Sequence, residues 1–158
     1  MNFWMDLTWD LLMEVIAKTD VITINDEEAR QLSGEYSLVK AAQKIHSMGP
    51  KYEKKKKGEH GALLFNDGKI FAIPALPLEE VFDPTGAGDT FAGGFAAHIA
   101  KSGKISFDSM KSAIIVGSAM ASFTVEEFGT QRLGKVNQAE LKKRINTFKE
   151  LTTFEVEL

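Results

Sequence analysis

The stretch Asp83-Pro84-Thr85-Gly86-Ala87-Gly88-Asp89-Thr90 constrains this chain more than any other. Upstream lies an apolar, extended run, Ile70-Phe71-Ala72-Ile73. Downstream, Phe91, Phe95 and Ile99 recur at i, i+4 and i+8, the stripe of a helix. Between them is a turn with glycines at two alternate positions, which permit positive φ and let a ligand approach the backbone. The turn opens directly into the helix, so the N–H groups near residues 86–89 have no intrahelical acceptor. Those donors and the helix dipole together make a site for an anion, phosphate above all. Asp89 stands at its mouth, where a phosphoryl-transfer base belongs. The competing reading is an Asp or Thr that caps a helix after a glycine turn.

The rest of the chain supplies a frame for such a turn. Trp9 to Lys18 carries Leu11, Leu12, Val15 and Ile16 at helical spacing, with Thr8 or Asp10 as cap. Val21-Ile22-Thr23-Ile24 reads as a buried strand. A helix through Ala29 and Leu32 stops at Gly34. Ser37 caps the next, with Ala41, Ala42, Ile45 and Met48 inward and Gly49-Pro50 as the stop. Ala62 to Phe65 and Lys69 to Ile73 flank Asn66-Asp67-Gly68, a hairpin signal. After the turn helix, Gly103 is a stop and Ser106 opens a second helix rich in small residues, among them Ala113, Gly117, Ser118, Ala119 and Ala121. Asn137 and Glu140 stand at capping-box spacing before a last helix with Leu141, Ile145 and Phe148 inward. Thr152 to Val156 reads as an edge strand. Strands alternating with helices give an α/β sheet protein with ligands at the carboxyl ends of its strands.

Composition narrows the function. At 158 residues, 44% hydrophobic and 26% charged, the chain is an ordinary globular domain, read here as one unit over residues 1–158. A net charge of −3 argues against general nucleic-acid binding. Without cysteine it forms no disulfide or thiolate metal site, which suits a cytoplasmic protein. No apolar run approaches a membrane span, and the N-terminus lacks the pattern of a signal peptide. His46, His60 and His98 have no metal-ligand spacing.

The stretch from Asp83 to Phe91 resembles the second signature of the ribokinase/PfkB family of carbohydrate and nucleoside kinases, D-T/P-T-G-A-G-D-x-F. The resemblance implies a ribokinase-like, mostly parallel sheet flanked by helices, with a β-hairpin. It implies ATP-dependent phosphorylation of a hydroxyl on a sugar, sugar phosphate or nucleoside. The amides of Gly86, Ala87, Gly88 and Asp89 would form the anion hole beside Thr85, and Asp89 would be the base. Asn25-x-x-Glu28 matches the family's N-x-x-E motif, which organises the Mg²⁺ shell largely through water. The alternative is a helix-capping box at the same spacing, and the two are compatible. Lys56, Gly58 and Gly61 match a K-x-G-x-x-G segment that lies along the nucleotide; a polar glycine turn is the alternative. Ser118 and Ala121 fall on the helix that lines the adenine pocket. Phe123 to Thr130 resembles a loop that gives carbonyl ligands to a monovalent cation such as K⁺, with Asp83 as a side-chain ligand; an ordinary surface loop is the alternative.

The chain departs from the family at Lys51-Tyr52-Glu53-Lys54-Lys55-Lys56-Lys57, where a buried apolar strand is expected. Alternation would load both faces of a strand with charge, which a closed core forbids. The expectation is a strand that is exposed or irregular here, or letters that depart from the native gene. A basic patch for an anionic polymer is the weaker alternative. The resemblance covers nearly the whole chain but only the C-terminal half of the family. The first signature, the lid and most acceptor contacts are absent, so a second reading is a non-catalytic nucleotide-binding fragment. A half-sheet exposes apolar edge and face, which predicts homo-oligomerisation or other self-association.

Overall fold

The computed structural model describes residues 2–56 and 61–157. The chain divides into two compact units, Met1–Pro74 and Ala75–Leu158.

The first unit holds helices α1 (Asn2–Leu7), α2 (Trp9–Ile16), α3 (Asp26–Ser33) and α4 (Leu38–His46), and strands β1 (Val21–Asn25), β2 (Tyr52–Lys56), β3 (Ala62–Asn66) and β4 (Lys69–Ile73). The four strands form one sheet in sequence order. β1 and β2 are parallel, which requires the long crossover that α3 and α4 provide. β2/β3 and β3/β4 are antiparallel. The predicted hairpin is β3/β4: Asn66 pairs with Lys69, and Asp67 and Gly68 both take positive φ, 45° and 77°, as a two-residue primed turn requires. The expected helix-flanked sheet with a hairpin is thus present, and its pairing is mixed.

Met5, Ile16, Ile22, Ile24, Ala29, Leu32 and Ile45 form the core beside β1. Of the α2 stripe, Ile16 is buried and Leu12 packs on the core, whereas Leu11 and Val15 are exposed. Thr8 and Ser37 hold the N-cap positions of α2 and α4 without a side-chain capping bond, while Gly34 ends α3 in the left-handed region as expected.

The lysine-rich segment is a correction. β2 is a regular strand with a partner on each side, and Glu53 and Lys54 are both 0% exposed. Pairing through the backbone is indifferent to side-chain charge, so the ladder draws β2 into the interior. Consecutive residues then enter opposite buried faces. A buried Lys54 cannot contribute to a surface patch; Lys57 and the side chains of Lys55 and Lys56 lie outside the described residues.

The second unit is helical: α5 (Ala87–Ser102), α6 (Phe107–Thr124), a single 3-10 turn (Leu133–Lys135) and α7 (Gln138–Thr152). Ser106 caps α6 through a reciprocal bond with Ser109, and Asn137 and Glu140 cap α7 in the same way. Phe91 and Phe95 stack with ring centroids 6.3 Å apart and are buried with Met110, Ile114, Phe123 and Phe148. The strand expected over Thr152 to Val156 does not form. Thr152 belongs to α7, residues 153–157 are exposed and irregular, and the described strands all lie in the first unit. A strand there would have no ladder partner within its own unit.

Candidate functional site

In the second unit, the signature turn is built by local backbone chemistry. The Asp83 carboxylate accepts the Thr85 N–H at 2.9 Å and fixes the entry to the turn. Gly86 follows in the left-handed region, φ 80°, and is itself the N-cap of α5. It has no side chain to offer, and no side-chain cap is made. The Ala87 N–H reaches the Pro84 carbonyl at 3.2 Å. Gly88 and Asp89 occupy the next two helical positions, whose N–H groups have no acceptor inside the helix. The alternative of an Asp or Thr cap is therefore not what the structure adopts. Asp89 is exposed in this first turn.

Asp83 is held below the usual carboxylate range, first by the Thr85 N–H, then by the Thr85 hydroxyl, with a smaller contribution from the Gly129 amide. The turn is tied to the loop after α6 by two bonds: the Phe82 and Asp83 N–H groups donate to the Val125 carbonyl at 2.8 and 3.4 Å. Asp83 and the loop after α6 are thus joined through the Val125 carbonyl.

Close helix packing sets the floor of this region. A methyl group at Gly94 would lie 3.1 Å from Met120 and 3.2 Å from the Gly117 backbone. Ser118 is adjacent to Gly117, and Ala121 lies one turn further along α6. Both are half-exposed.

A charge network that the sequence reading missed holds the loop. Glu126 accepts from Arg132 at 2.9 Å and from Arg144. Arg132 also reaches Glu140 at 2.7 Å, and Arg144 donates to the Ser122 hydroxyl at 3.0 Å. Both guanidinium groups lie over the buried Phe123 ring, at 4.9 and 4.0 Å from its centroid. Burial alone would raise the Glu126 carboxyl, but hydrogen bonds and charge from Arg144 and Arg132 outweigh it and hold the group low. Their spacing of six and eighteen residues crosses a loop and a helix, so no periodicity marks them.

In the first unit, Asn25 and Glu28 form a complete capping box. The Glu28 N–H donates to the Asn25 side chain at 2.7 Å and the Asn25 N–H to the Glu28 carboxylate at 2.9 Å. Parallel register sets Asn25 opposite Lys56, so both motifs reach the carboxyl ends of β1 and β2. This is where open α/β sheets bind ligands. Gly61 takes φ 96°, a conformation that favours glycine. Gly58 lies outside the described residues. No group of three or more His, Cys, Asp or Glu side chains gathers into a metal cage among the described residues.

Residues 1–136 match the pfkB family carbohydrate kinase profile. The chain is 41% identical over 90 residues to a cytidine kinase of Thermococcus kodakarensis, covering 56% of this chain and 32% of that protein. It is 35% identical over 123 residues to a ribokinase of Haemophilus influenzae, covering 75% of this chain and 38% of that protein. The solved ribokinase of Arabidopsis thaliana, complexed with ribose and ATP, superposes with a TM-score of 0.70 at 27% identity, over 84% of this chain and 43% of that one. The chain thus spans 32% to 38% of the length of these two curated relatives. The superposition makes the helix-flanked sheet part of a ribokinase-like fold, and the family match over residues 1–136 includes β1, the hairpin, the Gly86 turn and the α5/α6 pair. On fold and sequence together, the chain belongs to the pfkB family of carbohydrate kinases.

Proposed function

We propose that this chain is the phosphate-binding part of an ATP-dependent kinase acting on a hydroxyl of a sugar, sugar phosphate or nucleoside. The observation that carries the reading is the uncapped start of α5. Gly86 in the left-handed region presents the Gly88 and Asp89 amides and the Asp89 carboxylate at one helix terminus. Relatives named cytidine kinase and ribokinase support a hydroxyl-bearing sugar or nucleoside as acceptor.

In this reading Asp89 takes the proton from the acceptor hydroxyl as its oxygen bonds to the γ-phosphorus and the bond to ADP breaks. The Gly88 and Asp89 amides, with the rest of the Gly86 to Asp89 turn around them, stabilise charge on the phosphoryl oxygens. By the family resemblance, Lys56, Gly58 and Gly61 of the first unit are candidate nucleotide contacts, and Ser118 and Ala121 of the second are candidate adenine-pocket residues. Asn25 and Glu28 fit Mg²⁺ through its water shell rather than by direct ligation, because both already hold the capping box. Bound Mg²⁺ supplies positive charge to the phosphates. Asp83 and the carbonyls of the Val125 loop offer hard oxygens of the kind that suit K⁺.

One observation favours a second reading for the chain alone. It spans 32% of the length of the cytidine kinase relative, so it would bind nucleotide without completing an acceptor pocket. Calorimetric titration with MgATP, beside Gly88→Val, tests the shared phosphate site. Binding that the variant abolishes is expected; no binding to a folded chain would overturn the site. Acceptor-dependent release of ADP would then separate catalysis from binding alone.

A further inference from the structure

We infer that Glu126, Arg132 and Arg144 are positioning residues for the phosphate turn, acting through the Val125 carbonyl on the Phe82–Gly86 segment. The inference rests on the proposed phosphate site and deepens it.

The physical chain is short. Val125 ends α6 and directly precedes Glu126. Its carbonyl accepts both the Phe82 and the Asp83 N–H, so the position of Val125 sets where the turn begins. Asp83 then holds Thr85, and Gly86 launches α5. Nothing in residues 75–82 forms a helix or strand that could fix this approach independently. The Val125 carbonyl is therefore its anchor.

What fixes Val125 is the residue after it. Glu126 is clamped between two arginines, one from the 3-10 region and one from α7. Each arginine has a second attachment, Arg132 to Glu140 and Arg144 to Ser122. Both cover Phe123, the residue two before Val125, whose ring is buried. A planar guanidinium with several donors suits this bridging, and lysine would not reproduce it. Three charged groups thus converge on a loop whose other side carries the turn. Exposed ion pairs usually contribute little, but here they form a connected network on an aromatic face.

The test is amide exchange by nuclear magnetic resonance on the whole chain, comparing Arg144→Met, Glu126→Gln and Arg144→Lys. Protection of the Phe82 N–H should fall about tenfold or more in Arg144→Met and Glu126→Gln, with Ile114 on α6 retaining its protection. The Gly88 amide resonance should shift in the same two variants, and Arg144→Lys should lie between them and the parent. Unchanged Phe82 exchange and Gly88 resonance in both variants would overturn the inference. So would loss of protection equally at Phe82 and Ile114, which would mark a general stabiliser. Failure of the parent chain to bind MgATP would strike the kinase reading alone, because the exchange experiment needs no nucleotide.

Discussion

Gly117 of α6 lies against the Phe91 carbonyl of α5, so close that a methyl group there would sit 2.8 Å from that oxygen and 3.2 Å from the Phe91 ring. Phe91 is two residues after Asp89, so this contact fixes the height of the helix start. Gly117→Ala should cost about 1–3 kcal/mol, because the obstructing atom is backbone and cannot rotate away. Gly93→Ala is the control, since a methyl group there meets open space. It should stabilise by about 0.5–1 kcal/mol through helix propensity. Urea denaturation of the two variants should move the midpoint in opposite directions.

The carboxylates of the second unit make stability sensitive to acid. Glu126 lies below its ordinary 4.5 because the arginine hydrogen bonds and charges outweigh its burial, and Glu140 because of Arg132 first and the Asn137 amide second. Asp83 is below its ordinary 3.8 through Thr85. A carboxyl lowered in the folded state contributes stability above its unfolded value, and that contribution is lost as pH falls through the folded value. Melting temperature should therefore fall below about pH 4.5, within the carboxylate range. Arg144→Met should flatten that fall, and thermal scans between neutral pH and pH 3 would show it.

Local chemistry was legible in the sequence and long-range chemistry was not. Asp67-Gly68 announced its hairpin because φ > 0 at both positions demands such residues. Asn25 with Glu28, and Asn137 with Glu140, announced caps because both partners lie within one turn. The Gly86 turn was readable because glycine, helix stripe and Asp89 are contiguous. The Glu126 network was invisible, since its members meet only after α7 folds back on α6. The fate of β2 was misread for a related reason. Burial of Glu53 and Lys54 is decided by the strands on either side, while their own letters argue for solvent.

Those two residues give a stability prediction of their own. The two side chains enter opposite buried faces and each has an interaction there, and removing one partner of a buried charged pair costs about 3–5 kcal/mol. Glu53→Leu with Lys54→Met should therefore lower the melting temperature while circular dichroism still shows the folded chain. An unchanged or higher melting temperature would mean that the buried charges contribute nothing to stability.

The first unit also carries an uncovered apolar face. Phe3, Trp4, Leu7, Leu11 and Val15 on α1 and α2 are exposed, Phe3 at 64% and Leu11 at 63%. β1 stands at the end of the strand order, with one side of its backbone unpaired among the described residues. Such surfaces drive association. Light scattering at micromolar concentration should give a mass above the 17.4 kDa of one chain, rising with concentration. Trp4→Glu with Leu11→Glu should lower it. A constant single-chain mass would overturn this.

Asp89 offers the sharpest separation of binding from chemistry. It is exposed in the first turn of α5, beside amides that would hold the phosphoryl group. Asn keeps its shape and removes the acceptor for a proton. In an intact kinase containing this chain, Asp89→Asn should lower kcat by about 10²–10⁴ if the carboxylate is the general base. MgATP affinity should change little, because the Gly86 to Asp89 amides remain. Gly88→Val should do the reverse, weakening MgATP first by filling the space that the phosphate needs. Steady-state kinetics with MgATP titrations on both variants would separate the roles, and near-normal turnover in Asp89→Asn would remove Asp89 as the base.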